Sequence, residues 1–281
     1  PCLELIVCEK KGYCPIEDDM PREIYGLIRR ADLIVMVSPV FFYSVTAQLK
    51  ALIDRCQTLW ARKYKLRLSD PNSPWRHGLL LAVGATKGKE LFTGLELTAK
   101  YFFDAVDASY AGSLTYPNIE GPKDIMQHGD MPTQVKNEVK RLLTPFMKRK
   151  RILFTCQKND CLSQMAAAMA QFKAGDLLEV ACAGSLPAKE INPNMSDVMA
   201  EEGIDMAFRK PQGLDTVLDN WTPEIVVSLD CWEACPFSSD IQTIKWKIPD
   251  HSDGSKERLC AARDAIEKQV TQLVKKLKQN K

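Results

Sequence analysis

The sequence has no run of about 18 uninterrupted apolar residues, so a membrane span is not expected. It opens at Pro1 rather than Met, without the basic, apolar and small-residue pattern of a signal peptide. Charge of one sign is also scarce: the net formal charge is +2 and the basic residues are scattered, which argues against nucleic acid as a partner. The densest basic run, Lys148 to Arg151, reads as a solvated helix end and interdomain linker. Histidine is rare, with three residues at His77, His128 and His251 that are isolated from one another, so a histidine metal cluster is not expected. Cysteine is not scarce, at ten residues, but it is too dilute for a disulfide scaffold, and several cysteines sit inside apolar stretches. Thiol chemistry or metal ligation in a reducing, cytoplasmic compartment is the expectation.

What is present is alternation. At 281 residues the length suggests two domains. Leu33 to Val37 and Leu79 to Val83 are short apolar runs that suit strands buried on both faces of a parallel sheet. A helix with Ala47, Leu49, Leu52 and Ile53 on one stripe, and Lys50, Asp54 and Arg55 off it, follows the first run. Further helices are expected from about Phe92 to Val106 and from Thr133 to Met147, with a strand near Ser109 to Leu114. The pattern restarts with a strand at Arg151 to Thr155, a cysteine-containing turn and a helix rich in Ala and Met. Strands at Leu178 to Ala181 and Glu224 to Leu229 and a final amphipathic helix carrying Ala262, Ile266, Val270 and Val274 complete it. The expected fold class is α/β, two parallel-sheet three-layer domains over residues 1–147 and 151–281.

In open α/β sheets, ligands sit beyond the carboxyl ends of the strands. Two loops occupy such positions. Ser38, Pro39, Val40, Phe41, Phe42, Tyr43 and Ser44 offer an aromatic wall and hydroxyls, and Gly84, Ala85, Thr86, Lys87 and Gly88 offer backbone N–H groups. The segment from Ser38 to Arg55, with Cys14 to Met20, Gly84 to Gly88 and Tyr101 to Ala105, resembles the flavodoxin-like NAD(P)H-dependent FMN reductases and iron–sulfur flavoproteins. The resemblance implies noncovalent FMN, its ring against residues 38–44 and its other edge near 84–88, with NAD(P)H as electron donor. A homodimer fits it too, because such reductases often place the flavin near a dimer interface. Two departures limit it. The family's first strand and Gly/Ser/Thr-rich phosphate loop have no counterpart in the sequence, so the chain is an incomplete copy or its FMN binding is impaired. The iron–sulfur pattern C-x2-C-x2-C-x5-C falls on Cys2, Leu5, Cys8 and Cys14, and because a cubane normally takes four thiolates, no iron–sulfur cluster is expected.

In the second half, Cys156 to Ser163 lies between a strand and a helix, where a helix N-terminus lowers a thiol's pKa and aims N–H groups at an oxyanion. Phe154-Thr155-Cys156, Asn159 and Ser163 to Ala166 resemble the nucleophile loop of low-molecular-weight phosphatases and thioredoxin-coupled arsenate reductases. Ala183-Gly184, Asn192 to Asn194, Glu202 to Asp205, Val226 to Leu229, Cys235-Pro236 and Trp246 to Asp250 continue the likeness. By that resemblance Cys156 is the nucleophile, Ser163 its thiolate-stabilising hydroxyl, Asp250 the candidate acid, and Cys231 and Cys235 stand where the reductases keep resolving cysteines. Leu162 occupies the place of the arginine in the C-x5-R motif, which removes a bidentate clamp on the oxyanion. Lys158 supplies charge without the planar fork.

The resulting expectation is an FMN-dependent NAD(P)H oxidoreductase domain coupled to a thiol-active cysteine-loop domain, with a small-molecule or thiol/disulfide redox partner. Arsenate reductase or phosphatase activity at Cys156, and a noncatalytic sensing protein with both sites degenerate, stay open beside it.

Overall fold

The computed structural model describes residues 1–219, 221–229, 237, 241–249 and 254–279. The chain divides into two compact units, Pro1–Met147 and Lys148–Lys281.

The first unit is built on three parallel strands in the order β1-β2-β3, namely β1 (Leu33–Pro39), β2 (His77–Val83) and β3 (Ser109–Tyr116). Before them come α1 (Val7–Lys11), a π-helical turn (Met20–Ile24) and α2 (Tyr25–Arg30). Between and after them come α3 (Ala47–Arg55), α4 (Gln57–Tyr64), α5 (Thr93–Ala105) and α6 (Met131–Leu143). Successive strand residues point to opposite faces, and the two faces of this sheet differ. Gly78 presents no side chain, which lets the ring of Phe103 from α5 lie against the strand; a Cβ there would stand 2.3 Å from that ring. On the opposite face His77 meets Phe146, at 6.2 Å between ring centroids, beyond the end of α6.

That second face is only partly covered. Val37 is 66% exposed and Val35 43%, so β1 is not the doubly buried strand expected from its apolar run. The run is apolar, but β1 lies at the sheet's edge, and hydrophobicity alone does not supply a covering helix. The apolar stripe expected of α3 is not its buried face either. The residue that α3 buries is Arg55, whose guanidinium donates to both carboxylate oxygens of Asp18, at 2.5 and 2.9 Å. Deeper still, Arg76 is fully buried because its donors are matched one by one: Nη1 to the Val106 carbonyl (2.8 Å), Nη2 to the Arg29 carbonyl (2.6 Å) and to Asp70 (2.7 Å), and Nε to the Ala31 carbonyl (3.0 Å). A buried guanidinium persists only on such terms.

The second unit holds four parallel strands in the order β5-β4-β6-β7: β4 (Lys150–Cys156), β5 (Leu178–Gly184), β6 (Ile225–Leu229) and β7 (Gln242–Trp246). Here both faces are covered. Helices α7 (Leu162–Ala174), α8 (Pro193–Glu201) and α10 (Lys256–Gln279) share one core with Ile152, Phe154, Ile225 and Val227. On the other face, Leu153, Ala183 and Val226 pack with Leu214, Val217 and Leu218 of α9 (Leu214–Leu218). The run of alanines in α7 keeps its side chains short, so the helix sits close to the strands and is buried almost all round. The basic run at 148–151 is not wholly a solvated linker: β4 begins at Lys150, whose N–H donates to the Leu177 carbonyl at 2.9 Å. Among the described residues no helix is long and apolar enough to cross a membrane.

Candidate functional sites

In the first unit the two flavin-type loops meet at the carboxyl end of the sheet. The Val40 N–H donates to the Val83 carbonyl at 2.8 Å. Ser38 is buried, donates to the Pro39 carbonyl (2.8 Å) and accepts from the Thr46 N–H (3.3 Å), while Thr46 caps α3 by accepting from the Leu49 N–H (3.3 Å). Between these anchors Phe41 and Ser44 exchange two backbone hydrogen bonds of 2.9 Å, which closes a two-residue turn with positive φ at Phe42 (49°) and Tyr43 (60°). That is the type I′ geometry usually given to Asn-Gly. Phe41, Phe42 and Tyr43 are all solvent-facing, Phe42 completely. Gly84 is buried, Ala85, Thr86 and Lys87 are exposed, and a Cβ on Gly88 would stand 2.6 Å from the Tyr43 hydroxyl. The residues present would suit the flat ring end of FMN, since exposed aromatic side chains stand beside Gly88, against which the Tyr43 hydroxyl lies.

Gly94, in the first turn of α5, is a support that sequence reasoning missed. A Cβ there would lie 2.1 Å from the Tyr43 carbonyl oxygen, so only glycine lets the helix touch the back of the aromatic turn. A glycine inside a helical stretch was the available signal.

In the second unit β4 delivers Cys156 to a closed loop before α7. Cys156 Sγ lies 3.0 Å from Ser163 Oγ and accepts from the Asn159 N–H at 3.2 Å. Asn159 adopts φ 51°, a conformation asparagine tolerates, and is fully buried. Its amide donates to Ser163 Oγ (2.8 Å), and its side-chain oxygen accepts from the Gln212 N–H (2.8 Å) and from Gln164 (3.1 Å). Below the loop, Gly184 leaves space that a Cβ would fill at 2.6 Å from the Gln157 carbonyl oxygen. Asn192 caps α8, and its own N–H holds the Asp160 carbonyl at 2.9 Å. Gln164, Gln212 and Asp160 are thus part of the loop's scaffold, and nothing in their residue types announced it.

Two findings change the expected chemistry. Leu162 is 2% exposed and belongs to the apolar core, so its side chain is turned into the packing and away from the loop's solvent side. Cys156 is 8% exposed, and burial pushes its thiol above the ordinary value, against the lowering by Ser163 and by the backbone N–H groups of Ser163 and Asn159. The lowering expected from a helix N-terminus is real in direction but loses to desolvation. The neighbouring Cys161 is pushed up to about 12, first by burial and then by Asp160 and Cys156. Cys231, Cys235 and Asp250 lie outside the described residues, as does His251.

Residues 2–115 match the family model of NADPH-dependent FMN reductases, and residues 151–281 that of low-molecular-weight phosphotyrosine protein phosphatases. The chain is a fusion of an FMN-reductase-like unit and a phosphatase-like unit. In the first unit, an iron–sulfur flavoprotein of Archaeoglobus fulgidus is 38% identical over 93 residues, 32% of this chain and 44% of that protein. The chain spans less than half the length of the iron–sulfur flavoproteins it matches. In the phosphatase-like unit, an arsenate reductase of Bacillus licheniformis is 29% identical over 134 residues, 46% of this chain and 96% of that protein. A solved thioredoxin-dependent arsenate reductase of Corynebacterium glutamicum superposes with a TM-score of 0.42 at 23% identity, covering 58% of this chain and 79% of that one.

The cysteines of the C-x2-C-x2-C-x5-C pattern line a cavity to which none of residues 38–44 contributes. Cys2 is exposed, Cys8 and Cys14 are half-buried, and all three line one small cavity together with Leu5. Burial raises the Cys8 thiol, and its neighbours Cys2 and Cys14 push it in the same direction. Leu5 offers no ligand, so a four-thiolate cubane does not fit these residues. The remaining histidines serve locally: His77 Nδ1 pairs with Ser109 Oγ at 2.8 Å, and His128 Nε2 with the Pro117 carbonyl at 3.0 Å.

Proposed function

We propose that the protein is a flavin-dependent oxidoreductase in its first unit, with NAD(P)H as electron donor and FMN held by Ser38–Ser44 and Gly84–Gly88. The observation that carries this reading is the exposed aromatic turn at 41–43, set against the Gly84–Gly88 loop at the carboxyl end of a parallel sheet. When bound, FMN supplies hydride acceptance and onward electron transfer. The chain's own part is to offer Phe41, Phe42 and Tyr43 as apolar ring contacts, and Ala85 to Gly88 as backbone donors to the polar edge of the ring. In the second unit Cys156 acts as a thiol toward a small-molecule or disulfide partner. Ser163 and the Asn159 N–H stabilise the sulfur once it is deprotonated. The test is the visible spectrum of the purified full chain incubated with FMN, followed by NAD(P)H oxidation with quinone, flavin or disulfide acceptors. Bound flavin with turnover is expected; no turnover with any acceptor overturns the reading.

A second reading, a phosphatase-like unit that senses rather than catalyses, is favoured by Leu162. A core-packed leucine at the clamp position contributes no guanidinium of its own to an oxyanion, and losing such a clamp removes several kcal/mol of transition-state stabilisation. Phosphate or arsenate titrated against the full chain separates the two: binding at Cys156 supports catalysis there, and inertness supports sensing.

A further inference from the structure

Arg209 is tied to the cysteine loop through a side chain that sequence reasoning passed over. The segment between α8 and α9 brings it there, with Phe208 in a left-handed φ of 63° that few bulky residues adopt. Gln212 fastens the same segment to the site: its carbonyl accepts from the Gly184 N–H at the end of β5 (2.9 Å), and its N–H donates to Asn159 Oδ1 (2.8 Å). Arg209 Nε donates to Gln164 Oε1 at 2.8 Å, and Arg209 Nη2 lies 3.8 Å from the Cys182 sulfur. Gln164 is 1% exposed. Its amide hydrogens serve three acceptors, the Asn159 carbonyl (3.1 Å), Asn159 Oδ1 (3.1 Å) and the Lys210 carbonyl (3.2 Å).

A chain of side-chain amides has no direction of its own, because each amide can be turned end for end. Arg209 supplies a direction. A guanidinium donates and never accepts, so Gln164 shows it Oε1 and turns its NH2 toward Asn159. Asn159 Oδ1 then accepts, as it also does from the Gln212 N–H, which leaves the Asn159 NH2 facing Ser163 Oγ at 2.8 Å. With that bond accepted, the Ser163 hydroxyl has its own proton for the Cys156 sulfur, 3.0 Å away. We infer that Arg209 is a positioning residue for Cys156, which through Gln164 and Asn159 fixes Ser163 as the donor to the sulfur and so favours the thiolate. The inference rests on the reading of Cys156 as a reacting thiol. Charge strengthens the first bond, since an ionised donor binds more strongly than a neutral one, and in a buried network one polarised bond strengthens the next. Leu162 brings no guanidinium to the loop from the motif position, whereas Arg209 acts from behind the loop, three side chains from the sulfur.

The other titratable and charged groups around this network, among the described residues, are Asp160 and Cys161 in the loop, the exposed Lys158 on it, Cys182 on β5 and Lys210 beside Arg209. Asp160 opposes the thiolate, and Cys161, pushed up to about 12, stays neutral below that pH. The experiment follows iodoacetamide alkylation of Cys156 by peptide mass across pH in the reduced full chain, for wild type and for variants that urea unfolding shows to be folded. Arg209→Met keeps the stem and removes the donor. Alkylation at a fixed pH should slow by roughly 2–10-fold, the scale of one hydrogen bond, with the profile displaced to higher pH. Arg209→Lys, which keeps charge and donor, should stay closer to wild type than Arg209→Met does. Arg209→Gln, a neutral donor, should be displaced less than Arg209→Met and takes its place if the methionine variant does not fold. Gln164→Met should move the profile the same way, and Arg209→Met added to it should do little more, because a relay already cut has nothing to transmit. An unmoved profile in the Arg209 variants, full additivity with Gln164→Met, or a lysine variant as displaced as the methionine one overturns the inference. Alkylation needs no physiological partner, so it separates this inference from the reading beneath it. A displaced profile without turnover on any disulfide acceptor sinks the reading and leaves the positioning role standing; turnover with an unmoved profile does the reverse.

Discussion

The two sheets share parallel strands and differ in what covers them. In the phosphatase-like unit β4 is enclosed from both sides, and its loop turns inward, with Cys156, Asn159 and Ser163 all buried. In the FMN-reductase-like unit β1 is an edge strand with one open face, and its loop turns outward with three exposed aromatic rings. A loop at the carboxyl end of a parallel strand can thus display its residues or enclose them, according to what covers the sheet. Displayed residues are free to meet a flat ligand. Enclosed ones gain a hydrogen-bonded scaffold at the expense of thiol acidity.

Phe154→Ala in β4 removes a fully buried ring packed against Trp246 at 5.6 Å and should cost about 3–5 kcal/mol in urea unfolding. A cost near zero would mean that the enclosed sheet is no better packed than the open one. Gly184→Ala forces a Cβ onto backbone atoms of the cysteine loop and should cost about 1–3 kcal/mol, with altered Cys156 alkylation.

Cys156 itself sharpens the contrast through pH. Because burial raises its folded-state pKa, its thiolate fraction at any given pH is lower than that of a free thiol. Its alkylation rate by iodoacetamide, followed by peptide mass, should still be climbing where a free thiol has levelled off. A plateau reached below that point would show that the helix N-terminus wins over burial. The smallest effect belongs to the open face. Val37→Thr should change stability by no more than about 0.5 kcal/mol, whereas the same exchange at the covered Val226 should cost about 1–3 kcal/mol for a buried hydroxyl.

The apolar runs made β1, β2, β4 and β6 legible in the sequence, because a strand inside a parallel sheet needs continuous hydrophobicity. Strand β7, Gln-Thr-Ile-Lys-Trp, was not legible: it closes the sheet's edge, and its first residues face solvent. Nor were Arg55 and Arg76 readable as buried, since their burial depends on distant acceptors such as Asp18 and the Val106 carbonyl that the fold alone brings near. At the cysteine loop, Cys156, Asn159 and Ser163 were visible through their resemblance to a family's nucleophile loop. The raised thiol was not, because desolvation is a property of the packed unit and a helix N-terminus is a property of four residues.

The aromatic turn carries one more consequence. Phe42 and Tyr43 occupy left-handed backbone at roughly 1–2 kcal/mol per residue, in a turn where Asn-Gly would relax that strain. A search for stabilising substitutions would therefore converge on these two positions and erase the ring wall in doing so. Under selection for robustness alone the turn would drift toward Asn-Gly, so the strain held at Phe42 and Tyr43 is stability that the unit forgoes in keeping two aromatic rings in solvent.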